Sequence, residues 1–310
     1  MMMIDTHAHI HDAKFDADRS AVLQRAREAG VEKIITVGTS IVESQEAVRC
    51  AAAYRDVFAT VGLHPHVFNG GQRRAQEWEE WIGADNPEDA RRAAMEKAII
   101  KMRELARSSA KVIAIGEVGL DYHSHAKTPI TAEQKAWQKE GFLKQAALAQ
   151  ELRLPLIIHC RSSAGNMPAR NDSRSDSIGD VYEDMFDILR GEFPKDESHK
   201  LKAVLHCYGG NIAVTEKFLS LENVYFSFAG NVTFAKRDTD EINTVIRMIP
   251  EGRILLETDC PYLAPTPHRG ERNEPLYVCA VGEHIAALRG EATELIASHT
   301  TRNAQDVFGI

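Results

Sequence analysis

Short runs of apolar, β-favouring residues recur along the chain, separated by stretches with helical periodicity. The runs are Met3–Thr6, Lys33–Val37, Val57–Val61, Val112–Gly116, Leu156–Ile158, Ala203–Leu205, Val224–Phe228 and Arg253–Leu256. Each is nearly continuous in apolar character, as expected of a parallel strand buried on both faces. Amphipathic segments lie between them. Asp18–Ala29 is stopped by Gly30, Thr131–Glu151 has Thr131 as N-cap and Pro155 beyond its end, and Asn211–Ser220 follows the sixth run. Eight strands alternating with helices predict a (β/α)8 TIM barrel, and 310 residues suit one barrel domain spanning 1–310. An open doubly wound sheet is the competing architecture. It would carry a glycine-rich phosphate loop after the first strand, and none is present there.

Two connections exceed plain βα units. Residues 65–111 hold Gly70-Gly71 and then a charged helical stretch with Trp78 and Trp81. Residues 162–182 are rich in Ser, Asn, Asp and Arg and read as a surface loop after a strand end, where barrel active sites lie.

The composition, 44% hydrophobic and 26% charged, is that of a globular chain. No apolar run reaches the ~20 residues that span a bilayer. The N-terminal MMMIDTHAHI meets Asp5 and His7 too soon for a signal peptide, so the expected location is the cytoplasm, with no membrane and no obligate protein partner. A net charge of −8 argues against a general electrostatic grip on nucleic acid, but leaves room for a local phosphate site that carries metal cations. Five cysteines, Cys50, Cys160, Cys207, Cys260 and Cys279, are odd in number and widely spaced. They suggest no disulfide framework and read as small packing residues.

Candidate chemistry collects at the strand ends. The first strand runs into His7-Ala-His9, two histidines whose spacing puts them on one side of an extended chain. The fourth runs into Glu117, the fifth into His159, the sixth into His206, and the eighth through Glu257 to Asp259. In a barrel these ends face one mouth. Four imidazoles and two carboxylates match the donors that divalent metals accept, and zinc, manganese, magnesium, cobalt and nickel are not distinguished by such a set. Six ligands exceed what one tetrahedral zinc needs, so the expected cofactor is a pair of divalent ions bridged by one carboxylate. His64 and His66 follow the third strand and face the same mouth. They are candidate substrate contacts, as are Arg161, beside His159, and Asp121.

The chain resembles the TatD family of metal-dependent deoxyribonucleases, within the amidohydrolase-type barrels. The resemblance rests on Ile4–His9, Phe15–Arg19, Val61–His66, Gly116–His123, Leu154–Arg161, His206–Gly210, Leu255–Leu263, Pro267–Pro275 and Asn303–Gly309, and so covers nearly the whole chain. It implies the same six ligands (His7, His9, Glu117, His159, His206, Asp259), with Glu117 as the bridge, and hydrolysis of DNA phosphodiester bonds from the 3′ end. In the mechanism expected here, Asp259 orients a metal-bridging hydroxide and accepts its proton. The departures are His11, where the family usually has a small acidic or amide residue, the two long connections, and Tyr208 where Phe is common. Tyr208 is read as core packing, and Arg272 and Glu274 as braces of the rim. Two other readings compete: a hydrolase of a small phosphoester, amide or lactone on the same barrel, and a non-catalytic barrel that holds metal.

Overall fold

The computed structural model describes residues 2–68, 88–123, 129–163, 179–191, 201–235, 237 and 239–310. Gly70-Gly71, Trp78, Trp81 and most of the 162–182 segment lie outside them. Eight parallel strands follow one another around a barrel in chain order: β1 (Met3–Ala8), β2 (Val31–Val37), β3 (Val57–Val61), β4 (Val112–Asp121), β5 (Leu156–Arg161), β6 (Ala203–Leu205), β7 (Val224–Phe228) and β8 (Ile254–Leu256). Past the end of β8 the chain meets β1 again: Asp259 N donates to His7 O at 2.8 Å and His9 N to Cys260 O at 2.7 Å. The architecture is the expected (β/α)8 TIM barrel.

A helix follows each strand: α1 (Arg19–Glu28), α2 (Ile41–Ala53), α3 (Glu88–Ser108), α4 (Ala132–Leu152), α5 (Gly179–Gly191), α6 (Ile212–Leu219), α7 (Glu241–Met248) and α8 (Val278–Arg289), with α9 (Thr293–Phe308) closing the order. The start signal at Thr131 works as the sequence predicts, and a second cap stands at Asn211. Thr131 caps α4 in a capping box with Gln134, and the Asn211 side chain accepts from Val214 N at the head of α6. Gly30 ends α1 in the left-handed region, at φ 91°.

Two apolar layers hold the barrel. The larger is packed from strand and helix residues together. The smaller joins Ile4, Ile35, Ile113, Ile157, Val204 and Leu255, one from each of six strands, to Val307 and Phe308 of α9. Full burial of such side chains contributes roughly 1.5–3 kcal/mol each. Thr301 Oγ1 donates to Met2 O, and Asn303 Nδ2 to Ile254 O, which places α9 at the strands' N-terminal ends. The opposite, C-terminal mouth is left for the polar residues.

β4 departs from expectation. It does not stop at Gly116 but runs on to Asp121, with a register shift against β5 between Ile115 and Val118. At the shift Glu117 N donates to Gly38 O at 2.8 Å, so the irregular backbone finds its partner across the barrel. Glycine is required here: a Cβ on Gly62 would lie 2.4 Å from Gly116 C, and one on Gly119 (φ 139°) would lie 2.1 Å from His159 O.

Candidate metal centre

His7 and His9 project from the end of β1 with their Nε2 atoms 3.3 Å apart. Asp259 Oδ1 lies 3.6 Å from the first and 3.4 Å from the second. Opposite this group, His159 Nδ1 and His206 Nε2 are 3.3 Å apart. Glu117 stands between the two groups. Its Oε2 is 3.6 Å from His7 Nε2, and its Oε1 is 2.8 Å from His159 Nδ1 and 2.9 Å from His206 Nε2. Two three-ligand sets result, His7/His9/Asp259 and Glu117/His159/His206. The spacing of the first set fits a metal, since bonds of ~2.0–2.1 Å in a tetrahedron put neighbouring ligand atoms roughly 3.3–3.4 Å apart, whereas in the second set Glu117 is at hydrogen-bond distance from both imidazoles. The donor set, imidazole nitrogen with carboxylate oxygen, fits it as well.

Three of the four imidazoles are aimed by what their other nitrogen bonds, while His7 Nδ1 is buried without a hydrogen-bond partner. His9 Nδ1 donates to Val37 O at 2.9 Å, His206 Nδ1 to Glu257 Oε1 at 3.3 Å, and His159 Nε2 to Asp121 Oδ2 at 3.1 Å. In each case the remaining nitrogen faces the centre, where it can coordinate a metal once it carries no proton. The supports are themselves held. Glu257 Oε1 accepts from Cys207 N at 2.6 Å, and Asp5 accepts from Thr258 N at 2.9 Å and Thr258 Oγ1 at 2.6 Å. Burial pushes the Asp5 carboxyl up to about 8, although the Thr258 bonds pull the other way. Backbone strain gathers in the same place: Cys207 (φ 44°), Asp259 (φ 56°) and Leu263 (φ 54°) are non-glycine residues in the left-handed region, at about 1–3 kcal/mol each.

The electrostatics divide the imidazoles: burial lowers His9, His159 and His206, but neighbouring carboxylates outweigh it and raise them, so they hold protons that a metal would displace. Burial holds His7 well below the ordinary imidazole range, helped by the neighbouring His206, so it is neutral and able to coordinate. Burial alone would raise Glu117. The field of His206 and His64, with hydrogen bonds from His159 and His206, overcomes it and keeps the carboxyl well below its usual range. Burial lowers His206 and Glu117 raises it, and the carboxylate wins by a wide margin. A dication facing Glu117 would replace that proton.

The remaining expected residues fall around this centre. His64 Nε2 is 3.5 Å from Glu117 Oε1, and its ring packs edge-on against His159 with centroids 4.4 Å apart. His66 Nε2 is 2.7 Å from Asp121 Oδ2. Arg161 ends β5, partly buried, and its charge is felt by the Cys207 thiol. His11 turns aside and bonds Thr36 Oγ1 through Nδ1 at 2.8 Å. Tyr208 is 1% exposed, bonds Thr215 Oγ1 at 2.8 Å and packs on Phe226. Arg272 spans Asp18 Oδ2 (2.7 Å) and Glu274 Oε1 (2.9 Å) as a brace of the rim. Cys50, Cys160, Cys207 and Cys260 are buried, in keeping with packing roles, and Cys279 is half-buried.

Sequence reasoning passed over Gln138 and Gln145, both fully buried on α4. Gln138 accepts from Asp121 N at 2.7 Å and donates to Asp121 O at 2.9 Å. Gln145 does the same for Leu63, at 2.7 and 3.1 Å. The available signal was their spacing of seven, which puts both on one helix face.

The model of the TatD related DNase family matches residues 4–309. The chain belongs to this family. It is 36% identical over 309 residues to an uncharacterized metal-dependent hydrolase, YabD, of Bacillus subtilis, with 100% of both chains covered. It is 32% identical over 313 residues to the 3′-5′ ssDNA/RNA exonuclease TatD of Erwinia tasmaniensis, covering 99% of this chain and 100% of that one. Among solved structures, the TatD homologue YjjV from Escherichia coli K12 superposes with a TM-score of 0.72 at 26% identity, covering 99% and 98% of the two chains. This TatD-family protein is therefore a metal-dependent hydrolase. Among its described residues no helix is long and apolar enough to cross a membrane.

Proposed function

We propose that this TatD-family hydrolase is a deoxyribonuclease that removes nucleotides from the 3′ end of DNA, using two divalent ions held by His7, His9, Glu117, His159, His206 and Asp259. The observation that carries this reading is the Glu117 carboxylate, one oxygen toward His7 and the other toward His159 and His206. The Erwinia tasmaniensis relative, a 3′-5′ ssDNA/RNA exonuclease, supports the choice of bond and polarity.

When bound, a pair of divalent ions neutralises charge on the phosphoryl group and lowers the pKa of water. The protein does the rest. Glu117 sets the spacing of the two ligand groups. Asp259 is held by the His7 carbonyl through its own backbone N–H, and it orients the attacking water and takes its proton. Asp121 fixes His159 and His66 together, and His64, His66 and Arg161 hold phosphate oxygens at the rim.

The test is a 5′-labelled single-stranded DNA incubated with metal-depleted protein, then with protein reloaded with magnesium, manganese or zinc. A ladder shortening from the 3′ end is expected only with metal, and Asp259→Asn should slow it by about 10²–10⁴-fold. A metal-loaded protein that leaves DNA intact but cleaves simple esters or amides would replace this reading with that of a small-molecule hydrolase.

A further inference from the structure

Tyr262 is one of five large apolar side chains the described residues expose, at 39%. It sits three residues beyond Asp259, and its ring stands edge-on to His9 with centroids 6.2 Å apart. What sets it apart from the other four is its place: a part-exposed, amphipathic ring beside the candidate metal centre. The backbone that carries the ring is held on both sides. Tyr262 N donates to Asp259 O at 2.9 Å, its carbonyl accepts from Nδ2 of the fully buried Asn273, and Leu263 follows in the left-handed region. Lys14 Nζ lies over the ring, 4.4 Å from its centroid, on an exposed side chain, so a cation caps one face and leaves the other for a base.

We infer that Tyr262 is a base-binding residue: a platform on which a base flanking the scissile phosphate stacks, with Lys14 meeting the neighbouring phosphate. The inference rests on the nuclease reading and deepens it, because stacking favours a strand whose bases are unpaired. A net charge of −8 strengthens the case. A protein this acidic gains little from displacing counterions outside a few local cations, so a contact that does not depend on charge adds affinity that those cations do not supply. An aromatic side chain, with only two rotatable bonds and mounted on a held backbone, supplies such a contact at small entropic cost.

The experiment compares metal-loaded wild type with Tyr262→Ala, Tyr262→Phe and Tyr262→Leu on three 5′-labelled single strands. One has every base, one lacks the last 3′ base, and one lacks the penultimate base. Stacking of a single base is worth on the order of 10- to 100-fold in KM. Wild type should lose that factor on one of the two abasic strands. Tyr262→Phe should keep the preference, and Tyr262→Ala and Tyr262→Leu should erase it. The preference should not change between low and high salt, whereas Lys14→Ala should flatten the salt dependence of KM. A fluorescent adenine analogue at the preferred position should be quenched on binding wild type and Tyr262→Phe only. Persistence of the preference in Tyr262→Ala, or equal KM for all three strands in wild type, overturns the stacking role while the nuclease reading stands. Failure of wild type to cut any strand overturns both.

Discussion

Replacing Gln138 by Met keeps the volume of a fully buried side chain and removes both of its hydrogen bonds to Asp121. The backbone N–H and carbonyl of Asp121 are then left without those partners at a buried position. Each unsatisfied group costs about 1–3 kcal/mol, so the change should cost roughly 2–6 kcal/mol. That is a large part of the ~5–15 kcal/mol that usually holds a folded domain. The measurement is denaturant unfolding of metal-depleted protein, because metal bound to the native state would shift the midpoint by mass action. At ~2 °C per kcal/mol for a large domain, the thermal midpoint should fall by at least about 4 °C. The effect should also reach the metal centre. Asp121 Oδ2 accepts from His66 and His159, and a loosened Asp121 no longer aims His159, so metal affinity should drop by about tenfold, toward the lower end for such outer supports. Gln145→Met breaks the matching pair at Leu63, with a similar cost in stability but no direct route to His159. A Gln138→Met protein that unfolds within about 0.5 kcal/mol of wild type would refute the claim that this amide carries the end of β4.

Glu117→Ala should bind fewer metal ions per chain than His64→Ala, measured by elemental analysis after gel filtration, because Glu117 faces both ligand groups; equal content in the two variants would remove Glu117 as the bridge. Native protein at neutral pH should react slowly with a thiol reagent at every cysteine, since burial pushes Cys50 up to about 11 and raises the other four as well; rapid labelling of two thiols per chain would contradict the packing reading. Asp18→Asn should destabilise at neutral pH. Bonds from Arg272 hold the Asp18 carboxyl below its unfolded pKa, so its contribution is present above that value and lost as pH falls through the lower, folded one. The difference between Asp18→Asn and wild type should therefore fade in acid and shrink with added salt, and a difference that grows in acid would refute this account.

The strands were visible in the sequence because parallel barrel strands are buried on both faces and leave continuous apolar runs. β3, β6 and β7 begin and end where those runs do. The candidate ligands were visible for a related reason: a polar residue that ends such a run has no packing role to explain it. β4 was misjudged because Glu117 is a charged residue in mid-strand. An apolar criterion stops at Gly116, whereas the chain continues to Asp121 and pairs with β5 through Arg161. Burying Glu117 is tolerable only because imidazoles surround it, and those lie far away in sequence.

Gln138 and Gln145 show a different kind of concealment. In a helix rich in Gln, Lys and Ala they resemble solvent-facing residues, yet their face also carries Gly141, where a Cβ would lie 2.3 Å from the Phe68 ring. Polar groups at core positions of a barrel helix need partners, and near the mouth those partners are strand-end backbone atoms that the sheet no longer bonds. The strands that carry candidate ligands and substrate contacts must project beyond the hydrogen-bonded barrel to reach one another. The further they project, the more backbone must be satisfied by side chains. Buried amides on the helix behind β4 are thus a consequence of placing Asp121 and His64 where they meet Glu117 and His159.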